Sequence, residues 1–181
     1  VNPSGKLPFT FPVRLEDNGA HALGEYPGAD KVKYNESIFV GYRWHDKEQL
    51  KPLFAFGHGL SYTAFAVGNV KADRTTLAPN GSIRISADVT NTGDRAGAEV
   101  VQLYIGDEQS SLPRPVKELK GFQKVSLNPG QTQTVTFEIT PGMLQYYDDA
   151  KGAWVAEPGA FTAYVGVASD DIRGTVEFEL K

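Results

Sequence analysis

Few residues in this chain combine a chemically useful type with a useful spacing. The three histidines, His21, His45 and His58, lack the spacing of a metal site on a helix, and no cysteine is present to join them. Cysteine-ligated zinc, iron–sulfur clusters, disulfides and thiol nucleophiles are thereby excluded, and no metal site is predicted. His58 stands between two glycines, without the lysine and serine or threonine of a phosphate loop. We predict that it is buried and bonded to nearby backbone.

The serine and carboxylate residues do not form a recognisable catalytic set. Ser61 lies in G-L-S-Y, which lacks the second glycine of a nucleophile elbow. Glycoside chemistry needs two carboxyl groups across a sugar site, but nothing singles out a pair among the 22 Asp and Glu residues. Glu36, just before an apolar stretch, is expected to make a structural hydrogen bond or ion pair. We therefore name no catalytic residue.

The run Tyr42, Arg43 and Trp44 offers the strongest candidates for substrate binding. Aromatic and guanidinium side chains suit the stacking of sugars and the recognition of hydroxyl groups. The same residue types are enriched at protein interfaces, which is the interpretation we prefer. Contact between these residues and a sugar is kept as the second interpretation.

Composition limits the class of protein. The chain has 181 residues, 40% of them hydrophobic, which is enough for a packed core, and a net charge of −4. Its lysines and arginines are scattered, which argues against a nucleic-acid surface. No apolar run approaches the length of a membrane-spanning helix.

Residues 64–181 show the alternation of apolar and polar side chains that is typical of half-buried strands. We predict about seven strands, at 65–71, 83–89, 101–105, 119–127, 134–139, 161–167 and 175–180. Turn residues between them favour a mainly β fold, a seven-stranded antiparallel sandwich of fibronectin type III or immunoglobulin-like kind. The absence of a cysteine pair favours the fibronectin type.

Smaller features of this region carry their own predictions. Gly121 stands where a strand loses its alternation and indicates a bulge. The triplet 128–130, N-P-G, suits a type II turn. Thr140 and Pro141 indicate a short helix, and Trp154 is expected to pack against the sandwich.

Residues 1–63 are irregular and rich in proline, glycine and aromatic residues. Short apolar pieces at 7–12 and 38–42 suggest single strands or hairpin arms without partners. Because 60 structureless residues are improbable as a separate domain, we expect this part to complete a domain whose other elements lie elsewhere. The start at Val1, without an initiator methionine, indicates a removed targeting segment or a position inside a longer chain.

Several long runs resemble glycoside hydrolase family three. Residues 34–44, Y-N-E-S-I-F-V-G-Y-R-W, resemble its Y-x-E-G-I-F-V-G-Y-R segment, with Ser37 where glycine is usual. Residues 52–63, P-L-F-A-F-G-H-G-L-S-Y-T, resemble its P-L-F-P-F-G-H-G-L-S-Y-T signature, with Ala55 replacing a proline. Residues 2–12 are similar to the end of its second catalytic domain, and 89–104, 114–122 and 170–173 to its fibronectin type III-like domain.

The resemblance covers essentially the whole chain and implies its organisation. Residues 1–63 would be the terminal segment of an α/β sandwich catalytic domain with a connector, and residues 64–181 a fibronectin type III-like domain. The family's catalytic aspartate lies on an N-terminal barrel, and its acid/base glutamate lies upstream of the segment that residues 1–12 match. Neither position exists in these residues, so the chain alone is expected to be inactive, with a bracing role.

The resemblance also implies an activity for the whole enzyme. It points to a retaining β-glucosidase that hydrolyses terminal non-reducing β-D-glucosyl residues, as in cellulose degradation, without a cofactor; β-xylosides are the alternative substrate class. Expected partners are the remaining catalytic domains, the β-glucoside or oligosaccharide substrate and a second copy of the whole enzyme, with no nucleic acid and no membrane. A secreted or periplasmic location follows only from the family's usual substrates. The rival interpretation is a stand-alone carbohydrate-binding or scaffold module, against which we note that stacking aromatics are not grouped in one loop.

Overall fold

The computed structural model describes residues 1–181, and two packed β-sheets form its centre. The smaller sheet comprises β1 (Phe65–Ala72), β3 (Ile83–Asn91) and β6 (Thr132–Ile139). Its strand order is β1-β3-β6. The larger sheet comprises β2 (Thr76–Leu77), β4 (Gly97–Asp107), β5 (Glu118–Leu127), β9 (Gly159–Ala168) and β10 (Asp171–Leu180). Its strand order is β2-β10-β9-β4-β5.

Alternation along these strands builds the core between the sheets. In β3, every second residue from Ile83 to Asn91 is buried, while the residues between them are exposed or half-buried. A cluster of 21 buried apolar residues fills the space between the sheets, and all of them lie between Val67 and Leu180. Burial of their apolar surface is the main stabilising term of the fold.

The sandwich prediction is confirmed, and each of the seven predicted strands is present. Three short strands were missed, namely β2, β7 (Tyr146–Asp148) and β8 (Ala153–Val155). Strands of two or three residues are too short to show a period of two. The pairing of β2 with β10 is parallel, so the sandwich is not wholly antiparallel.

The predicted turn features are present. The register of β4 and β5 shifts between Leu103 and Tyr104 and leaves Lys120 without a partner, which confirms a bulge beside Gly121. Gly130 has φ 73°, and the Gln131 amide donates to the Asn128 carbonyl at 3.0 Å. A short helix, α3 (Pro141–Leu144), follows Thr140 as predicted; the chain's other helices are α1 (Gly19–Ala22) and α2 (Tyr42–Lys47).

Residues 1–63 contain little regular structure besides α1, α2 and a 3-10 helix (Leu15–Asp17). Residues 7–11 run beside 54–58 and exchange backbone bonds, such as Leu7 N–H to His58 O and Phe11 N–H to Phe54 O, both 2.8 Å. The strand suggested at 38–42 is wrong. Residues 35–38 form a turn, Gly41 takes φ 62°, and α2 begins at Tyr42. No helix has the length and apolar character needed to cross a bilayer. The boundary between 63 and 64 stays a prediction.

Candidate functional site

Helix α2 lies against strands β4 and β5 of the larger sheet. The Leu119 amide donates a hydrogen bond to the Tyr42 hydroxyl at 2.9 Å, and the Tyr42 ring lies 5.6 Å from the Tyr104 ring. Two ion pairs join the same elements. Arg43 Nη2 lies 3.4 Å from Glu118 Oε1, and Lys117 Nζ lies 2.6 Å from Asp46 Oδ2. These contacts tie the N-terminal part of the chain to the sandwich.

Trp44 points to the other side of α2 and is only 6% exposed. Its ring packs against Gly19, where an added Cβ would lie 3.0 Å from the ring. Tyr42, Arg43 and Trp44 therefore all make contacts within the chain. A sugar contact for any of them stays a prediction, and their geometry favours an interface role.

A group of charged side chains at the start of β5 supports this contact. Arg114 lies 3.0 Å from Asp107 and 2.7 Å from Glu118, and it donates to the Leu144 carbonyl at 2.9 Å. Lys120 Nζ lies 3.3 Å from the Glu118 carboxylate. Burial alone would raise the pKa of Glu118, but Lys120, Arg114 and Arg43 outweigh it and hold that pKa below its usual value. The Glu118 carboxylate is therefore ionised and structural.

The close approach of the Gln102 side chain explains why residue 57, just before His58, is a glycine. Buried Gln102 donates from Nε2 to the Val167 carbonyl at 3.0 Å and accepts a hydrogen bond from the Tyr104 hydroxyl. Gly57 has φ 84°, and a Cβ there would overlap the Gln102 amide. Burial raises the pKa of Tyr104 far above its usual value, so its hydroxyl remains a donor. This segment packs on the sandwich, and its residues have no catalytic arrangement.

The histidines do not converge on one site. His45 is buried, and its Nδ1 lies 3.1 Å from the Leu50 carbonyl oxygen. His45 thus has the buried, backbone-bonded environment that we predicted for His58. The prediction for His58 is wrong. Its half-buried ring packs 5.1 Å from the exposed Phe54 ring, and its side chain makes no hydrogen bond. No group of three His, Cys, Asp or Glu side chains could hold a metal ion.

Glu36 lies in a small polar cavity rather than in an ion pair. Its Oε2, the Trp44 indole N–H and the Thr10 hydroxyl are buried without a hydrogen-bond partner, and all three residues line a cavity of about 40 Å³. The predicted ion pair or hydrogen bond of Glu36 is therefore wrong within this chain. Ligand pockets usually measure about 300–1,000 Å³, so this cavity admits water or the tip of one polar side chain, but no sugar ring.

Ser61 has a structural role. Its hydroxyl donates to Asn2 Oδ1 at 3.0 Å and accepts from the Thr63 amide at 3.3 Å. The Thr63 hydroxyl in turn donates to Asn91 Oδ1 at 2.8 Å. These bonds fasten residues 2 and 61–63 to the end of β3.

Residues 1–63 carry most of the large apolar side chains that the chain leaves exposed. We call this set the N-terminal apolar surface. Its members are Val1, Phe9, Phe11, Val13, Leu15, Leu23, Tyr26, Val32, Tyr34, Ile38, Val40, Leu53, Phe54, Leu60 and Tyr62. The only buried apolar residues of the same part are Trp44 and Ala55. So many exposed large apolar side chains, with only two buried ones, are typical of a segment that packs against another part of a protein.

A second exposed group, a pair of aromatic residues on the hairpin of β7 and β8, was missed in the sequence. Trp154 does not pack against the sandwich as predicted, because it is 65% exposed and lies opposite Tyr147. The two rings are 5.7 Å apart with an interplanar angle of 72°. Only the pairing of two three-residue strands brings them together.

Comparison with known proteins places residues 99–169 in a family of fibronectin type III-like domains. Over 99% of its length, the chain is 53% identical to a β-glucosidase of Bacteroides ovatus, of which it covers 24%. It is 47% identical over 95% of its length to the thermostable β-glucosidase B of Acetivibrio thermocellus, of which it covers 23%. The chain thus spans about a quarter of the length of these relatives.

Solved structures give the same result for the fold. A β-glucosidase of Bifidobacterium adolescentis matches with a TM-score of 0.92 and 36% identity, over 99% of this chain and 26% of that one. The β-glucosidase of Kluyveromyces marxianus in complex with glucose matches with a TM-score of 0.90 and 42% identity, over 100% of this chain and 22% of that one. Both the irregular N-terminal part and the sandwich are therefore shared with these proteins.

Proposed function

We propose that this chain, a member of glycoside hydrolase family three by its sequence and fold, acts as the non-catalytic C-terminal part of a β-glucosidase. The whole enzyme would hydrolyse terminal non-reducing β-D-glucosyl residues. In a retaining mechanism, one carboxylate forms a glycosyl-enzyme intermediate and a second carboxyl group acts as acid and then as base. Both groups would lie on the remainder of the enzyme, which is the main partner of this chain.

The N-terminal apolar surface is the observation that carries the proposal. Burying one Val, Leu or Phe side chain stabilises an assembly by about 1.5–3 kcal/mol, so a surface with many such residues favours association strongly. Residues 1–63 would dock on the remainder of the catalytic domain through it. Tyr42, Arg43 and Asp46 would then transmit that position to the sandwich through Leu119, Glu118 and Lys117.

A chimera with a relative tests this function. In the Bacteroides ovatus β-glucosidase, the aligned stretch is replaced by this chain, and hydrolysis of an aryl β-glucoside is measured. We expect the chimera to be active, a version with the stretch deleted to be inactive, and the pure 181-residue chain to be inactive. Turnover by the pure chain, or an active deletion variant, would contradict the proposal.

Two matched valines test the docking surface within the chimera. Val13 belongs to the N-terminal apolar surface, whereas the similarly exposed Val116 lies in the loop between β4 and β5. We expect Val13→Asp to lower the activity at least about tenfold, because a carboxylate is placed in an apolar interface. Val116→Asp should change the activity less than about twofold. Equal effects of the two substitutions would remove the surface from the proposal.

Three finer points belong to the same proposal. A secreted or periplasmic location would be tested by fractionating cells that make the whole protein. Its association into homodimers would be tested by light scattering, and β-xylosides are the alternative substrates to assay. A stand-alone carbohydrate-binding role is favoured by one observation only, the exposed pair Tyr147 and Trp154.

A further inference from the structure

The β7–β8 hairpin presents two aromatic rings on one face and anchors its other face. Tyr147 and Trp154 are direct cross-strand partners, 49% and 65% exposed. Side chains alternate along a strand, so Tyr146 and Val155 face the opposite way, and both are half-buried. The Arg114 guanidinium lies 5.4 Å from the centre of the Tyr146 ring. The exposed pair therefore stands on a hairpin that is fixed to the sandwich.

The hairpin tip is also held in place. Asp148 Oδ1 accepts from the Ala150 amide at 3.0 Å and from the Lys151 amide at 3.2 Å, and Lys151 Nζ lies 2.9 Å from the same carboxylate. Gly152 takes the positive φ, 61°, that the tip requires. A ligand would therefore not have to order the loop, which removes one cost of binding.

Size and charge narrow the class of ligand. Two aromatic side chains expose at most a few hundred Å², far below the roughly 800 Å² per partner of a stable protein interface. Asp149 is exposed at the hairpin tip and the chain is acidic overall, which disfavours a nucleic-acid phosphate chain. A neutral molecule with a flat apolar face and outward polar groups fits best, and the C–H face of a pyranose ring with its hydroxyl rim has this character.

We propose that Tyr147 and Trp154 form a stacking site for a neutral glucose oligosaccharide. The choice of glucose rests on the proposed function, whereas the site rests on the hairpin. The Trp154 ring would take the sugar face, and Tyr147 would form a wall at about a right angle to it. The site would keep glucan chains near the enzyme.

The composition of the chain gives a direct test. The chain has two tryptophans, of which Trp44 is buried and Trp154 is exposed, so acrylamide quenches mainly Trp154. The 181-residue chain is titrated with cellopentaose, and the quenching constant is followed. We expect the quenching constant to fall as the sugar binds, with saturation in the millimolar range. Stacking contributions to binding then predict that Tyr147→Ala weakens binding at least about fivefold.

The control uses an exposed aromatic residue outside the hairpin. Phe122 on β5 is 68% exposed, and Phe122→Ala should leave the affinity within about twofold. Absence of any protection by cellopentaose, or equal losses with Tyr147→Ala and Phe122→Ala, would overturn the site. Adding the Bacteroides ovatus β-glucosidase that lacks the aligned stretch, without sugar, provides a further control. If it protects Trp154 from acrylamide quenching, the sugar site is overturned and the pair is assigned to a protein contact. Because this titration needs no turnover and the chimera assay needs no oligosaccharide binding at the hairpin, the two proposals fail independently.

Discussion

Tyr42, Arg43 and Trp44 have side chains that suit a sugar as well as a protein surface, and their contacts within the chain favour the second role. The Tyr42 hydroxyl accepts from the Leu119 amide, and Arg43 lies beside Glu118. Both residues are thus occupied at the contact between α2 and the sandwich. Their residue types predicted that these positions bind a protein surface or a sugar. Which residues they contact became known only from the fold.

Glu118 makes the stability of the fold depend on pH. Its pKa is lowered in the folded chain, so its ion pairs stabilise the fold fully above the usual value of 4.5. This contribution is lost as the pH falls through the lowered pKa, because the unfolded chain binds the proton more tightly. We expect Glu118→Gln to reduce the pH dependence of the urea midpoint as the pH falls below about 4.5. An unchanged dependence in the variant would show that other carboxylates determine it.

Turns and strands follow local rules except where another element approaches. Gly130 and Gly57 both have a positive φ, but no atom lies within 4 Å of a Cβ added at Gly130. At Gly57 the same Cβ would overlap the Gln102 amide. The first glycine is thus required by its own turn, and the second by its own backbone and by strand β4.

Alanine at these two glycine positions should therefore destabilise the fold to different extents. Gly130→Ala should lower the free energy of unfolding by about 1–2 kcal/mol, the cost of a left-handed conformation for an L-residue. Gly57→Ala should lower it by about 2–4 kcal/mol, because it also disturbs the buried Gln102 hydrogen bonds. Urea unfolding of the two variants measures the difference. Equal losses would mean that Gln102 moves aside without cost.

The two parts of the molecule differ in where their apolar residues lie. The 21-residue core belongs wholly to the sandwich, whereas residues 1–63 bury only Trp44 and Ala55 among their apolar residues. Backbone ordering costs about 1–2 kcal/mol per residue, which two buried apolar side chains cannot offset over 63 residues. The N-terminal part therefore depends on its neighbours.

Separate fragments test this asymmetry and the predicted boundary. We expect residues 64–181 to fold alone with a cooperative thermal transition, and residues 1–63 alone to show none. Circular dichroism during heating measures both. Cooperative unfolding of the 1–63 fragment would contradict the dependence, and failure of the 64–181 fragment to fold would place the boundary elsewhere.

Patterns in the sequence predicted the seven long strands, the bulge beside Gly121, the turn at Gly130 and the likeness to family three. Each of these depends on a local pattern of period two, on one residue's backbone preference or on a long continuous motif. The folded chain was needed to show that His45 rather than His58 is buried, that 38–42 is not a strand, and that Tyr147 and Trp154 meet. These depend on contacts between residues far apart in sequence, or on strands of three residues, which no local pattern records.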